Sequence, residues 1–179
     1  PNTSLEAHRP FLGRFVDDLL NTGCTPLLRA AVGFDREAVE LLLKHGAFVD
    51  LPNVMGVTPL MAVAGIGHGG VGGSGPGQSP TRATLENEAL VILDILIKAG
   101  RTALIARPNS MSEREGQTAI FGAVGAGTVN ETKPPRNWLK VTQYLIDHGA
   151  KLDIKDAKGR TLIDCMQGLP QGEQVARCG

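Results

Sequence analysis

Few residues in this chain could do chemistry, and most of them have a plainer explanation in the same stretch of sequence. Gly72-Gly-Ser-Gly-Pro-Gly77-Gln78-Ser79 has the spacing of a phosphate-cradling loop. Gln78 stands where such a loop needs a lysine on the phosphates, and no strand pattern precedes it. Gly65, Gly67 and Gly70 match the spacing of a dinucleotide-binding turn, again without a strand before them. Both give way to a flexible glycine-rich insertion, and no cofactor is expected. His45 and His148 each stand one residue before a glycine that closes an apolar run. An imidazole there interacts with the last carbonyls of a helix, so a structural role is expected for both. His68 lies inside the glycine stretch and is unconstrained by its neighbours. Cys24, Cys165 and Cys178 are odd in number and far apart, without the paired spacing of zinc or redox sites. Cys24, beside Gly23, reads as the most exposed thiol, but no histidine near it in sequence could serve as its base. Asp17-Asp18 and Glu113-Arg-Glu115 read as solvated charge. No catalytic residue and no metal site is expected.

Trp138 differs from these. It is the only Trp, and it follows Lys133-Pro-Pro-Arg-Asn137. Tryptophan and arginine are the types most enriched at binding hot spots, which makes Trp138 a candidate partner-binding residue. The alternative is that it packs beneath the segment before it.

The elements that must position these residues announce themselves by repetition. Gly23-Cys-Thr-Pro-Leu-Leu-Arg-Ala-Ala31 is echoed 33 residues later by Gly56-Val-Thr-Pro-Leu-Met-Ala-Val-Ala64. Weaker echoes follow as Gly116-Gln-Thr-Ala-Ile-Phe-Gly-Ala-Val124 and Gly159-Arg-Thr-Leu-Ile-Asp-Cys-Met166. A second word is locked to the first. Val39-Glu-Leu-Leu-Leu-Lys-His-Gly46-Ala47 returns as Leu93-Asp-Ile-Leu-Ile-Lys-Ala-Gly100 and as Val141-Thr-Gln-Tyr-Leu-Ile-Asp-His-Gly149-Ala150. Gly46 to Gly56 and Gly149 to Gly159 are both ten residues apart. A period of this size means stacked supersecondary units, none able to bury its apolar face alone.

Thr25 and Thr58 each precede a proline and can cap a helix whose first residue is Pro26 or Pro59. Inner helices are expected to start near Thr25, Thr58, Thr118 and Thr161. Outer helices are expected to end at Gly46, Gly100 and Gly149 as left-handed caps. Ala30, Ala31, Ala62 and Ala64 let inner helices approach, and the 4% aromatic content suits aliphatic packing in a stack. Residues 66–80 are expected to lack regular structure, and Thr81–Asn87 to extend the second outer helix backwards.

These paired words resemble ankyrin repeats, whose unit reads roughly Asp-x-x-Gly-x-Thr-Pro-Leu-His-x-Ala-Ala and ends Leu-Leu-x-x-Gly-Ala-x-Val-Asn. Residues 21–51 match nearly end to end. The histidine is replaced by Leu28, Met61, Phe121 and Asp164, the later prolines by Ala119 and Leu162, and Arg101-Thr102 stand where Ala-Asp is expected. The resemblance implies an all-α ankyrin-repeat solenoid of helix–turn–helix units with finger loops. Its expected layout is an arm at 1–19, units near 20–51, 52–112 and 113–152, a partial unit at 153–166, and a tail at 167–179. Insertions fall near 65–84, 101–112 and 125–137. The same layout resembles bacterial proteins with many ankyrin repeats and long loops. Many of those are exported, which leans the expected location to the periplasm, with the cytoplasm next.

Lys plus Arg and Asp plus Glu number 18 each, so no overall field draws in nucleic acid or anionic membrane. No apolar run reaches membrane-spanning length, so no direct membrane insertion is expected. The resemblance implies a non-catalytic scaffold binding a protein partner through finger tips and the concave inner-helix face. The positions flanking each finger glycine are then the candidates: Val54, Met55 and Val57; Arg114, Glu115 and Gln117; Ala157, Lys158 and Arg160; with Trp138 added. The alternative function is an anchoring domain or structural subunit of a larger enzyme or membrane-associated assembly. The chain starts at Pro1 and its ends carry no polar capping helix, so each end is expected to lean on further chain or on another subunit.

Overall fold

The computed structural model describes residues 1–4, 23–66, 82–103, 116–124, 138–156 and 159–167. Among them are seven helices and no strand: α1 Pro26–Val32, α2 Arg36–Lys44, α3 Pro59–Val63, α4 Arg82–Ala103, α5 Ala119–Ala123, α6 Leu139–Asp147 and α7 Leu162–Gln167. Each short inner helix pairs with the outer helix after it, α1 with α2, α3 with α4 and α5 with α6. The pairs stack in register, inner on inner (α1, α3, α5) and outer on outer (α2, α4, α6). The result is two layers of helices around one continuous aliphatic core.

Side-chain caps start three of the four described inner helices, α1, α3 and α7. Thr25 accepts from the Leu28 N–H at 3.1 Å and Thr58 from the Met61 N–H at 3.3 Å, with proline at the first helical position. Thr118 caps α5 in backbone position only; its side chain makes no cap bond. Thr161 and Asp164 cap α7 reciprocally, since the Asp164 N–H donates to Thr161 Oγ1 at 3.3 Å and the Thr161 N–H to Asp164 Oδ2 at 2.7 Å. The aspartate that replaces the expected histidine thus acts as the second half of a capping box.

The outer helices bury one stripe. Ala89, Ile92, Leu93, Leu96 and Ile97 on α4 are all buried, at the spacing of a single helix face. α2 and α6 close through matching geometry: Gly46 and Gly149 take φ of 81° and 91°. Ala47 N–H donates to Leu42 O and Ala150 N–H to Leu145 O, at 3.0 and 2.9 Å, so the chain reverses out of each helix with its last carbonyls satisfied. Gly100 does not do this. α4 begins at Arg82, as expected from the backward extension, but runs through Gly100 to Ala103. The helix continues and the expected cap is lost. The glycine-rich segment 67–81 lies outside the described residues, while Ile66 at its root is buried.

Candidate functional site

The tip of the first finger, which runs from Gly46 to Gly56, is built around Asn53. Asn53 Oδ1 accepts from the Met55 and Val57 N–H groups, both at 3.0 Å, and the Gly56 N–H donates to Asn53 O at 3.0 Å. Asp156 repeats the device on the third finger, accepting from the Arg160 N–H at 2.9 Å while the Gly159 N–H donates to Asp156 O at 2.9 Å. Asn53 and Asp156 are nevertheless buried. A short polar side chain that satisfies turn amides is what this position requires. The tip is therefore rigid, and it points Val54 outward at 56% exposure. The tip also lies close to the chain entering α1: a Cβ on Gly23 would fall 2.8 Å from Val54 N.

Of the sequence candidates among the described residues, Val54 is the one fully at the surface, and Met55 is half-buried against the core. Val57 is buried, as is Gln117 at the equivalent position of the second finger. Side chains alternate along the extended chain that enters each inner helix, and the residue after the finger glycine faces the stack. Arg160 occupies the same position on the third finger and is half-exposed. Its guanidinium turns back onto Asp156, with Nε to Oδ2 at 2.8 Å and Nη2 to Oδ2 at 2.6 Å. Val57 and Gln117 are accordingly corrected to core residues. Arg114, Glu115, Ala157 and Lys158 lie outside the described residues.

Trp138 is also corrected to a core residue. It is buried at the start of α6, where its N–H donates to Ala123 O at 3.0 Å. Its ring meets Phe34 edge-on, with centroids 6.3 Å apart. Phe34 lies in the turn between α1 and α2 with φ 54°, a left-handed conformation rare for a bulky residue. Cys24 is buried, not exposed, and donates its thiol to Thr25 O at 3.5 Å. Burial pushes that thiol above its ordinary pKa, with the Arg29 guanidinium pulling in the opposite direction, which is the reverse of what activates a nucleophile. His45 and His148 do sit at the C-caps of α2 and α6, and His148 Nδ1 lies 2.7 Å from Tyr144 O.

Phe48 is absent from the sequence candidates, yet it is 60% exposed on the same finger as Val54. The signal was present in the unit Gly-Ala-x-Val, where Phe48 fills the variable position and a lysine, Lys151, fills it on the third finger. An aromatic residue placed where the pattern sets no requirement is a surface choice. Among the described residues no cluster of His, Cys, Asp and Glu could hold a metal ion. No described helix is long and apolar enough to cross a membrane.

No curated protein matches the chain significantly. Residues 22–54, which span α1, α2 and most of the first finger, match the family model for the ankyrin repeat. That segment is similar to an ankyrin repeat, and the described residues, with seven helices and no strand among them, are ankyrin-like in fold.

Proposed function

We propose that the chain is a non-catalytic protein-binding module that engages its partner through the first finger. Ankyrin repeats are in general protein–protein interaction modules. The observation that carries the proposal is the pair Phe48 and Val54, exposed at 60% and 56% on one rigid finger. Exposed aromatic and aliphatic side chains, one at the foot of the finger and one at its tip, are the kind of residue that can anchor a partner. Met55, on the same finger, and Arg114, Glu115, Ala157, Lys158 and Arg160, which flank the later finger glycines in sequence, are included in the proposal. The test is affinity capture of partners from native extract by the wild-type chain and by a Phe48→Ala/Val54→Ala variant. The variant should keep its thermal stability to within about 0.5 kcal/mol per site, as surface changes do, and lose the partner. Retention of the same partner by the variant would remove the first finger from the proposal.

One observation favours a second reading, a subunit built into a larger assembly. Ile163 on α7 is 64% exposed, although its equivalents Leu27, Leu60 and Ile120 are buried. Leu152 on the third finger is 51% exposed, although its equivalent Val49 is buried. A sedimentation measurement showing a single monomeric species across a wide concentration range would count against self-assembly through that end.

A further inference from the structure

The segment Pro1–Ser4 lies against the foot of the first finger, and one side chain makes the attachment. Asn2 Nδ2 donates to Gly46 O at 3.1 Å, and Asn2 Oδ1 accepts from the Phe48 N–H at 2.7 Å. A single planar amide thus reads a carbonyl and an N–H two residues apart. This is the pair of contacts that one backbone residue of an added strand would make. Only a primary amide supplies a donor and an acceptor side by side in one plane; a carboxylate has no proton for the carbonyl, and a hydroxyl cannot reach both. Gly46 presents that carbonyl because its left-handed conformation, φ 81°, swings the chain out of α2, so that the main-chain groups of Gly46 and Phe48 can be met by one side chain.

We infer that the backbone edge at Gly46–Phe48 is a docking site for an extended segment carrying an asparagine side chain, and that residues 1–4 of the chain itself are its resident, exchangeable occupant. The site is distinct from the finger tip, since it is made of main-chain groups at the finger's foot and needs no contribution from Val54. The exposed Phe48 ring beside it offers apolar surface to whatever segment lies along the edge.

Amide hydrogen exchange read residue by residue tests the inference on the whole chain. Asn2→Ala should speed exchange at Phe48 roughly two- to tenfold, the range expected for one net hydrogen bond. Asn2→Asp, ionised at neutral pH, should do the same because its second oxygen faces the Gly46 carbonyl. The Met55 and Val57 amides, held by Asn53, should be unchanged in both variants. The tetrapeptide Pro-Asn-Thr-Ser, blocked at both ends and added at millimolar concentration to the Asn2→Ala chain, should restore slow exchange at Phe48. The same peptide should leave the wild-type chain unaffected. Unchanged Phe48 exchange in both variants overturns the attachment. A Phe48 amide that does not respond to the peptide in the Asn2→Ala chain overturns the exchangeable site.

Discussion

Thr25, Thr58 and Thr118 stand at the same point of three inner helices, but only the first two hydroxyls close their helix. Thr118 Oγ1 is buried with no hydrogen-bond partner among the described residues. Two like substitutions should therefore act in opposite directions. Thr25→Val removes a working cap and should cost about 1 kcal/mol. Thr118→Val replaces a hydroxyl that is desolvated without return by a methyl of the same shape, and should leave stability unchanged or raise it by about 1 kcal/mol. Thermal or urea unfolding of the two variants reads the difference. All three threonines could be read from sequence as helix starts. That the third hydroxyl goes unused could not, because that depends on how closely its neighbours pack. The same limit explains the binding candidates. Spacing from a finger glycine placed Val54, Met55 and Val57 on one loop, yet which of them faces out is set by the alternation of the chain and by the turn that Asn53 builds. Residue type makes Trp138 an interface candidate, but type alone says nothing about burial.

At the scale of elements, the outer layer is tied together by polar side chains that sequence periodicity does not show. α6 is preceded by Trp138, whose side chain makes no cap bond, and Glu86 on α4 takes over that role by accepting from the Lys140 N–H at 2.7 Å. Glu86→Ala should destabilise the chain by about 1 kcal/mol, the usual cost of a lost cap, while Glu86→Gln should recover most of it. Chemical denaturation of both variants checks this. One turn of helix or two further along, Asp94 joins the same two helices, accepting from Lys98 Nζ at 2.6 Å and from the Tyr144 hydroxyl at 3.0 Å. The Lys98 hydrogen bond holds the Asp94 carboxyl below its ordinary pKa against partial burial, with the Tyr144 bond and the charges of Lys98 and His148 adding to it. A folded-state pKa below the unfolded one means that the stabilisation is present above the unfolded value, near pH 4, and is lost as pH falls through the folded value. Asp94→Asn should therefore be less stable than wild type at neutral pH, and the gap should close on acidification. Melting temperatures recorded from neutral pH down to about pH 3 test the sign. The pair is largely exposed, so the effect is expected to be small. The backward extension of α4 was legible from its apolar spacing. Its continuation past Gly100 was not, because a glycine permits a left-handed cap without compelling one.

At the scale of the whole molecule, stacking distance is set by small residues. A Cβ on Gly122 of α5 would lie 2.7 Å from Ile66 N and 3.0 Å from Ala64 O, both backbone atoms of the preceding unit. Gly122→Ala gains up to about 1 kcal/mol in helix propensity. It also forces backbone to move, and overpacking of this kind costs about 1–3 kcal/mol. The second effect should win, giving a lower unfolding midpoint in urea. The repeated words made the two-layer stack readable before any coordinate, because each word carries its own caps and turns. How near the units come is a property of pairs of units, and one sequence word cannot state it.

The contact between Phe34 and Trp138 has a consequence of a different kind. In an array whose units touch only their immediate neighbours, the ends can fray while the middle holds, and unfolding can spread like a zipper. Here a ring from the turn of the first pair meets a ring from the start of the third pair's outer helix. That contact bypasses the second pair, so neither outer pair can open without disturbing the other. The stack should then melt as one cooperative body. Emission from the single Trp should change at the same denaturant concentration as helical circular dichroism, with no early phase belonging to either end.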